Sequence, residues 1–133
     1  MLVVDASVLA TALADDGRDG DLARARLRGE RLAAPELVDL EVASVLRRQM
    51  KVNAVDARRA TQALADLLAM PLQRASHRPL LVRCWELREN LTPYDAAYVA
   101  LAEVLQAVLL TGDTRLARAP GPLCHVEVLR NAR

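Results

Sequence analysis

Asp5, Glu41, Asp95 and Asp113 are the side chains in this sequence most able to do chemistry together. Asp5 closes the apolar run Leu2, Val3, Val4, and Asp113 closes AVLLTG, so each stands where a buried parallel strand would end. Asp95 completes a T-x-x-D box that opens at Thr92, with Pro93 at the first helical position. Glu41 lies four residues from both Leu37 and Val45, inside the apolar stripe of its helix. An ionised acid there costs on the order of several kcal/mol unless it is paired or bound to a metal. Singly, each has an ordinary explanation: the aspartates as helix caps, Glu41 as an arginine partner or a residue at the edge of the stripe. As a set, oxygen ligands without histidine or cysteine suit Mg²⁺ or Mn²⁺ rather than zinc. Clustered acids are also what two-metal phosphodiester cleavage needs, with ions ~3.5–4 Å apart activating a water and stabilising the leaving oxygen. Ser7 and Thr111, each two residues from an acid, could orient a carboxylate or a water, although capping and strand-end hydrogen bonds explain them equally well.

The elements that must position these acids alternate. A strand at Leu2–Val4 leads to a helix from Ala6 to about Leu13, a turn at DDGRDGD, and a second helix capped by Asp21 that runs to about Arg28. A short strand follows at Leu32–Ala34, and Pro35 opens a helix to about Met50 that carries Glu41. Another helix spans about Val55 to Met70, Pro71 stops it, and PLQRA is a weak strand. A helix from Pro79 to Arg88, a strong one opening at Thr92, the strand AVLLTGD, the short helix DTRLARA and a final edge strand HVEVL complete the chain. Strands alternating with helices predict one domain with a three-layer α/β/α fold around a mostly parallel sheet. In such sheets ligands bind beyond the carboxyl ends of the strands, where Asp5 and Asp113 stand.

Composition narrows the class. At 133 residues, 53% apolar and 26% charged, the chain is neither disordered nor long enough for several domains, and no apolar run reaches the ~18 residues of a membrane span. The start MLVVDASVLA lacks the basic region and cleavage site of a secretory signal, so a cytoplasmic protein is expected. Cys84 and Cys124 read as small core residues, and His77 and His125 have no partner motif. Seventeen arginines stand beside one lysine, Lys51, which suits phosphate and carboxylate partners although a coding bias would give the same skew. Arg47, Arg48, Lys51, Arg58 and Arg59 cluster after the Glu41 helix, either to bind phosphates or as a solvated face. Trp85, Tyr94 and Tyr98 are the aromatics, too few for much base stacking.

The segments VVDASVL, DLEVASVLRR, LTPYDAAYVALA and LLTGDTRLARA resemble the four acidic motifs of the PIN-domain family, most nearly the VapC-type toxins of bacterial toxin–antitoxin pairs. The match runs from Met1 to about Ala119, with the motifs in the family's order. The resemblance implies that Asp5, Glu41, Asp95 and Asp113 are the metal-binding catalytic acids, with Ser7 and Thr111 in support. It further implies an Mg²⁺- or Mn²⁺-dependent endoribonuclease acting on structured RNA, often transfer or ribosomal RNA, and so arresting translation. A homodimer and a cognate VapB-type antitoxin, wrapping the toxin, are implied as well. Two other enzyme classes put an aspartate after the first strand. A dehalogenase-like phosphatase wants a second aspartate where Ser7 stands, and a phosphoryl-accepting receiver wants a lysine after a late strand. A catalytically inactive RNA- or antitoxin-binding module of the same fold is the remaining alternative.

Overall fold

In the computed structural model, residues 1–129 are described. Five strands, β1 (Leu2–Val4), β2 (Leu32–Pro35), β3 (Leu72–Ala75), β4 (Val108–Thr111) and β5 (Val126–Val128), form one sheet in the order β3-β2-β1-β4-β5. Every pairing among them is parallel, with Val4 opposite Leu110 at the centre. The helices are α1 (Ala6–Ala14), α2 (Arg18–Leu27), α3 (Val38–Lys51), α4 (Ala57–Ala69), α5 (Leu81–Glu86), α6 (Pro93–Leu105) and α7 (Thr114–Arg118). They flank the sheet, giving the three-layer α/β/α arrangement that the alternating pattern implies. No described helix is long and apolar enough to cross a membrane.

β1 is buried along its whole length, as its uninterrupted apolar run requires of a central parallel strand. α6 packs over β1, β2 and β4, and Ala96 to Ala102 are all buried. A helix apolar nearly all round belongs in the interior, and its run of alanines lets it lie close to the sheet. The chain proceeds from β1 outward to β2 and β3, then returns past β1 to β4. That reversal opens a crevice at the carboxyl ends of β1 and β4.

Three local expectations are corrected. α2 starts at Arg18 with Gly17 as its cap, so Asp21 is not the cap but lies in the first turn, where it binds Arg24 at 2.7 Å. The early start is possible because residue 20 is glycine: a Cβ there would stand 1.9 Å from the Asp15 carbonyl oxygen. Pro35 ends β2 instead of opening a helix, and α3 begins three residues later. Having no N–H to donate, it stands where the pairing with β1 has stopped at Ala33 while β2 stays in register with β3. The helix expected over Pro79 to Arg88 divides into a 3₁₀ turn at Arg78–Leu80 and α5.

Candidate active site

The four acids arrive from four elements and line one cleft of about 230 Å³, together with Ser7, Ser44, Arg48 and Tyr98. Asp5 caps α1 immediately beyond β1; its Oδ1 accepts from Val8 N at 3.1 Å and from Ser7 Oγ at 2.7 Å. Its Oδ2 accepts a short hydrogen bond from the Thr111 hydroxyl. Thr111 is wholly buried at the end of β4, and its oxygen also accepts from Asp113 N at 3.0 Å. One hydroxyl thus ties together the acids that follow two neighbouring strands. Ser7 Oγ in turn accepts from Gly112 N at 3.3 Å. Ser7 and Thr111 thus both donate to the Asp5 carboxylate, one to each oxygen.

Asp95 sits in the first turn of α6, its N–H donating to Thr92 Oγ1 at 3.1 Å, so Thr92 caps the helix while the Asp95 carboxylate stays free of the reciprocal bond and lines the cleft. Asp113 caps α7 and accepts from Arg115 N at 2.9 Å; the Arg115 guanidinium also reaches it, at 3.3 Å to either oxygen. Glu41 is half-buried at the edge of the core face that Val38, Val42 and Leu46 make. The partner of Glu41 is not an arginine but the buried Tyr98 hydroxyl, which donates to Oε1 at 2.5 Å.

Burial raises the Asp5 carboxyl above its ordinary value, against the opposing pull of the Thr111 and Ser7 hydroxyls. Burial raises Glu41 too; the Tyr98 bond works against it, and repulsion from Asp95 and Asp5 adds to it. Asp95 is raised by burial and then by the charges of Asp113 and Asp5. Asp113 alone of the four is lowered, chiefly by its hydrogen bond from Arg115. Burial and the neighbouring Glu41 hold the Tyr98 phenol protonated, so it stays a donor.

Three carboxylates that repel one another in a half-buried cleft are what a hard cation offsets, and the donor set is oxygen throughout. Among the described residues no three His, Cys, Asp or Glu side chains stand close enough to hold one ion between them, so the cleft gathers the carboxylates without closing them on a point. The donor chemistry fits Mg²⁺ or Mn²⁺.

The basic cluster divides. Glu41, Ser44, Val45 and Arg48 follow helical spacing along one face of α3, and all four line the cleft. Arg47 and Lys51 are exposed and Arg58 is exposed on α4, outside the cleft lining. Arg59 is withdrawn from any such role, since it pairs with Asp16 and donates to Ala14 O at 3.1 Å. Sequence reasoning missed Tyr98 and Arg115 as site residues. The signal for Tyr98 was present, three residues after Asp95 and hence on the same helical face; for Arg115 it was the cap-plus-two position beside Asp113.

Fold and cleft together define a small parallel α/β domain whose switch-point crevice is walled by carboxylates. The chain belongs to the PIN-domain family, whose model matches residues 2–122. Ribonuclease VapC1 of Mycobacterium tuberculosis is 42% identical to it over 129 residues, covering 96% of this chain and 97% of that one. Ribonuclease VapC9 of the same species is 43% identical over 132 residues, covering 97% and 98%. The crystal structure of VapBC2 from Rickettsia felis bound to a DNA fragment from their promoter includes a chain with the same fold. That chain has a TM-score of 0.68 at 13% identity, over 97% of this chain and 98% of its own length.

Proposed function

We propose that this chain is a divalent-cation-dependent endoribonuclease, the toxin of a toxin–antitoxin pair, which cuts structured RNA such as transfer or ribosomal RNA in the cytoplasm and so arrests translation. The observation that carries the reading is the convergence of four carboxylates from four elements on one cleft without a nitrogen or sulfur ligand. Relatives that bear the name ribonuclease, at 42–43% identity over almost the full chain, support nuclease activity. The family resemblance supports a VapB-type antitoxin and a homodimer.

Asp5, Glu41, Asp95 and Asp113 would hold Mg²⁺ or Mn²⁺, which when bound supplies an activated water and stabilisation of the leaving oxygen in an in-line displacement. The chain's own groups prepare that site. Thr111 and Ser7 fix both oxygens of Asp5, and Tyr98 fixes Glu41, so the carboxylates are oriented without losing their charge. Arg48 places a guanidinium in the same cleft, suited to a phosphate oxygen of the substrate, while Arg47 and Lys51 extend positive charge along the exposed side of α3. Asp113 is already neutralised in part by Arg115, which makes it the acid whose charge is most easily shared.

Purified protein incubated with structured RNA should cut it in Mg²⁺ or Mn²⁺, leave 5′-phosphate and 3′-hydroxyl ends, and stop in excess EDTA. Undiminished cutting in EDTA would sink the metal mechanism, and cyclic phosphate ends would assign the attack to the RNA 2′-hydroxyl. RNA binding without cutting in either metal would favour the inactive binding module.

A further inference from the structure

A second concavity, about 550 Å³, adjoins the acid cleft and shares Ser7 and Asp113 with it. Besides Leu129, just past β5, its walls come from three places. α1 supplies Val8 and Thr11, α2 supplies Asp19 and Leu22, and the turn from β4 into α7 supplies Gly112 to Arg115. At the junction with the cleft stands Gly112, where a Cβ would crowd Ser7 Oγ at 3.1 Å. The volume is in the range that accepts a small ligand of nucleotide size, roughly 300–1,000 Å³.

We propose that this groove seats one unpaired nucleobase of the RNA substrate beside the scissile phosphate, with Asp19 reading its edge. The inference rests on the nuclease reading above and deepens it. A phosphate is a poor occupant, because the acids Asp19 and Asp113 line the space and the guanidinium of Arg115, the cation in its lining, is already bonded to Asp113. A neutral flat ring suits it better: Val8 and Leu22 offer apolar walls, while the hydroxyls of Thr11 and Thr114 offer either donor or acceptor. Asp19 takes part in no ion pair among the described residues. An ionised carboxylate only accepts hydrogen bonds, so it selects a base edge rich in donors. Guanine presents a ring N–H and an amino group side by side, which matches two carboxylate oxygens. Adenine and cytosine present an amino group beside an acceptor, and uracil places its single N–H between two carbonyls that the carboxylate repels. The order of preference is therefore guanine first and uracil last. Unpaired bases in loops and bulges are where RNA exposes these edges, in keeping with a structured target.

The test uses the purified full chain with Mn²⁺ and a pool of RNA stem-loops with randomised loops, sequencing the product ends. Wild type should show guanine enriched and uracil depleted at one of the two nucleotides flanking the cut. Asp19→Asn, which offers a donor beside its single acceptor, should lower the guanine-to-uracil ratio at that position roughly tenfold, the discrimination a bidentate base contact supplies. Leu22→Trp, which fills the groove, should flatten the preference at the same position and raise KM. Unaltered base frequencies in both variants, or a wild type indifferent to both flanking bases, would overturn the inference while leaving the nuclease intact. A wild type that cuts in neither metal would overturn the nuclease reading and this inference with it.

Discussion

Glu127 and Glu41 carry the same carboxylate under opposite conditions. Glu127, at the sheet edge, is gripped by both arms of Arg26 at 2.6 and 2.9 Å, and that pairing lowers its pKa. Asp39 with Arg74 and Glu103 with Arg83 repeat the arrangement elsewhere on the surface. Glu41, in the cleft, has a tyrosine hydroxyl for a partner and two carboxylates for neighbours, and burial, helped by those carboxylates against the tyrosine bond, raises its pKa. Asp5 is likewise held by hydroxyls and a backbone N–H. With seventeen arginines in the chain, ion pairing is the molecule's ordinary way to hold an acid. In the cleft, neutral donors fix the orientations of Asp5 and Glu41, which an arginine would fix only by cancelling the charge. The difference separates acids used for stability from acids kept available.

The largest effect that could break this contrast is catalytic. Asp95→Asn should keep the fold, because the capping contact uses the backbone N–H of residue 95. RNA cleavage should fall by more than the roughly 100-fold that loss of an outer ligand-orienting group costs. Single-turnover cleavage assays with circular dichroism as the fold control measure it, and full activity would return Asp95 to a mere cap. Tyr98→Phe comes next. It removes the donor to Glu41 and should weaken Mn²⁺ binding by about 10–100-fold, read from the Mn²⁺ dependence of the melting temperature. Metal affinity equal to wild type would make Tyr98 a core residue only.

Why was so much of the cleft legible beforehand, and Tyr98 not? Asp5, Asp95 and Asp113 announce themselves by local grammar, an acid at a strand end or in a capping box, which needs no knowledge of distant contacts. Glu41 was legible by contradiction, as an acid in an apolar stripe, but its partner lies 57 residues away and nothing local names it. The same limit hid the start of α2, which depends on how closely Gly20 approaches the end of α1, and the fate of Arg59, spent on Asp16 and Ala14. Pro35 misled because the sequence shows a residue fit to start a helix, whereas the short reach of the β1 pairing is a property of the sheet.

Smaller effects sharpen the comparison. Glu41→Gln removes one of the repelling charges while keeping an acceptor for Tyr98. Without metal it should stabilise the protein by about 0.5–2 kcal/mol while abolishing much of its Mn²⁺ response. The pH dependence follows the same logic. Asp5, Glu41 and Asp95 bind protons more tightly folded than unfolded, so in EDTA stability should rise as pH falls from neutral through their raised values toward the ordinary carboxylate range near 4. Asp113 and Glu127, lowered by their arginines, withdraw stability only further down, as pH falls through their own values. Thermal melts across that range should show a shallower rise for Glu41→Gln, and a wild type whose stability falls throughout would contradict the repulsion. The smallest change is expected at the edge: Glu127→Gln should cost only about 0.2–1 kcal/mol in denaturant titration, since the pair is a third exposed.

The bridge through Thr111 makes the cleft dependent on a single strand alignment. Asp5 and Asp113 share that hydroxyl only while Val4 lies opposite Leu110. A slip of one residue between β1 and β4 would turn Thr111 to the opposite face of the sheet and part the two acids. Misassembled copies are thereby disarmed without any separate safeguard, and whatever the cleft does becomes a built-in proofreader of the sheet that carries it.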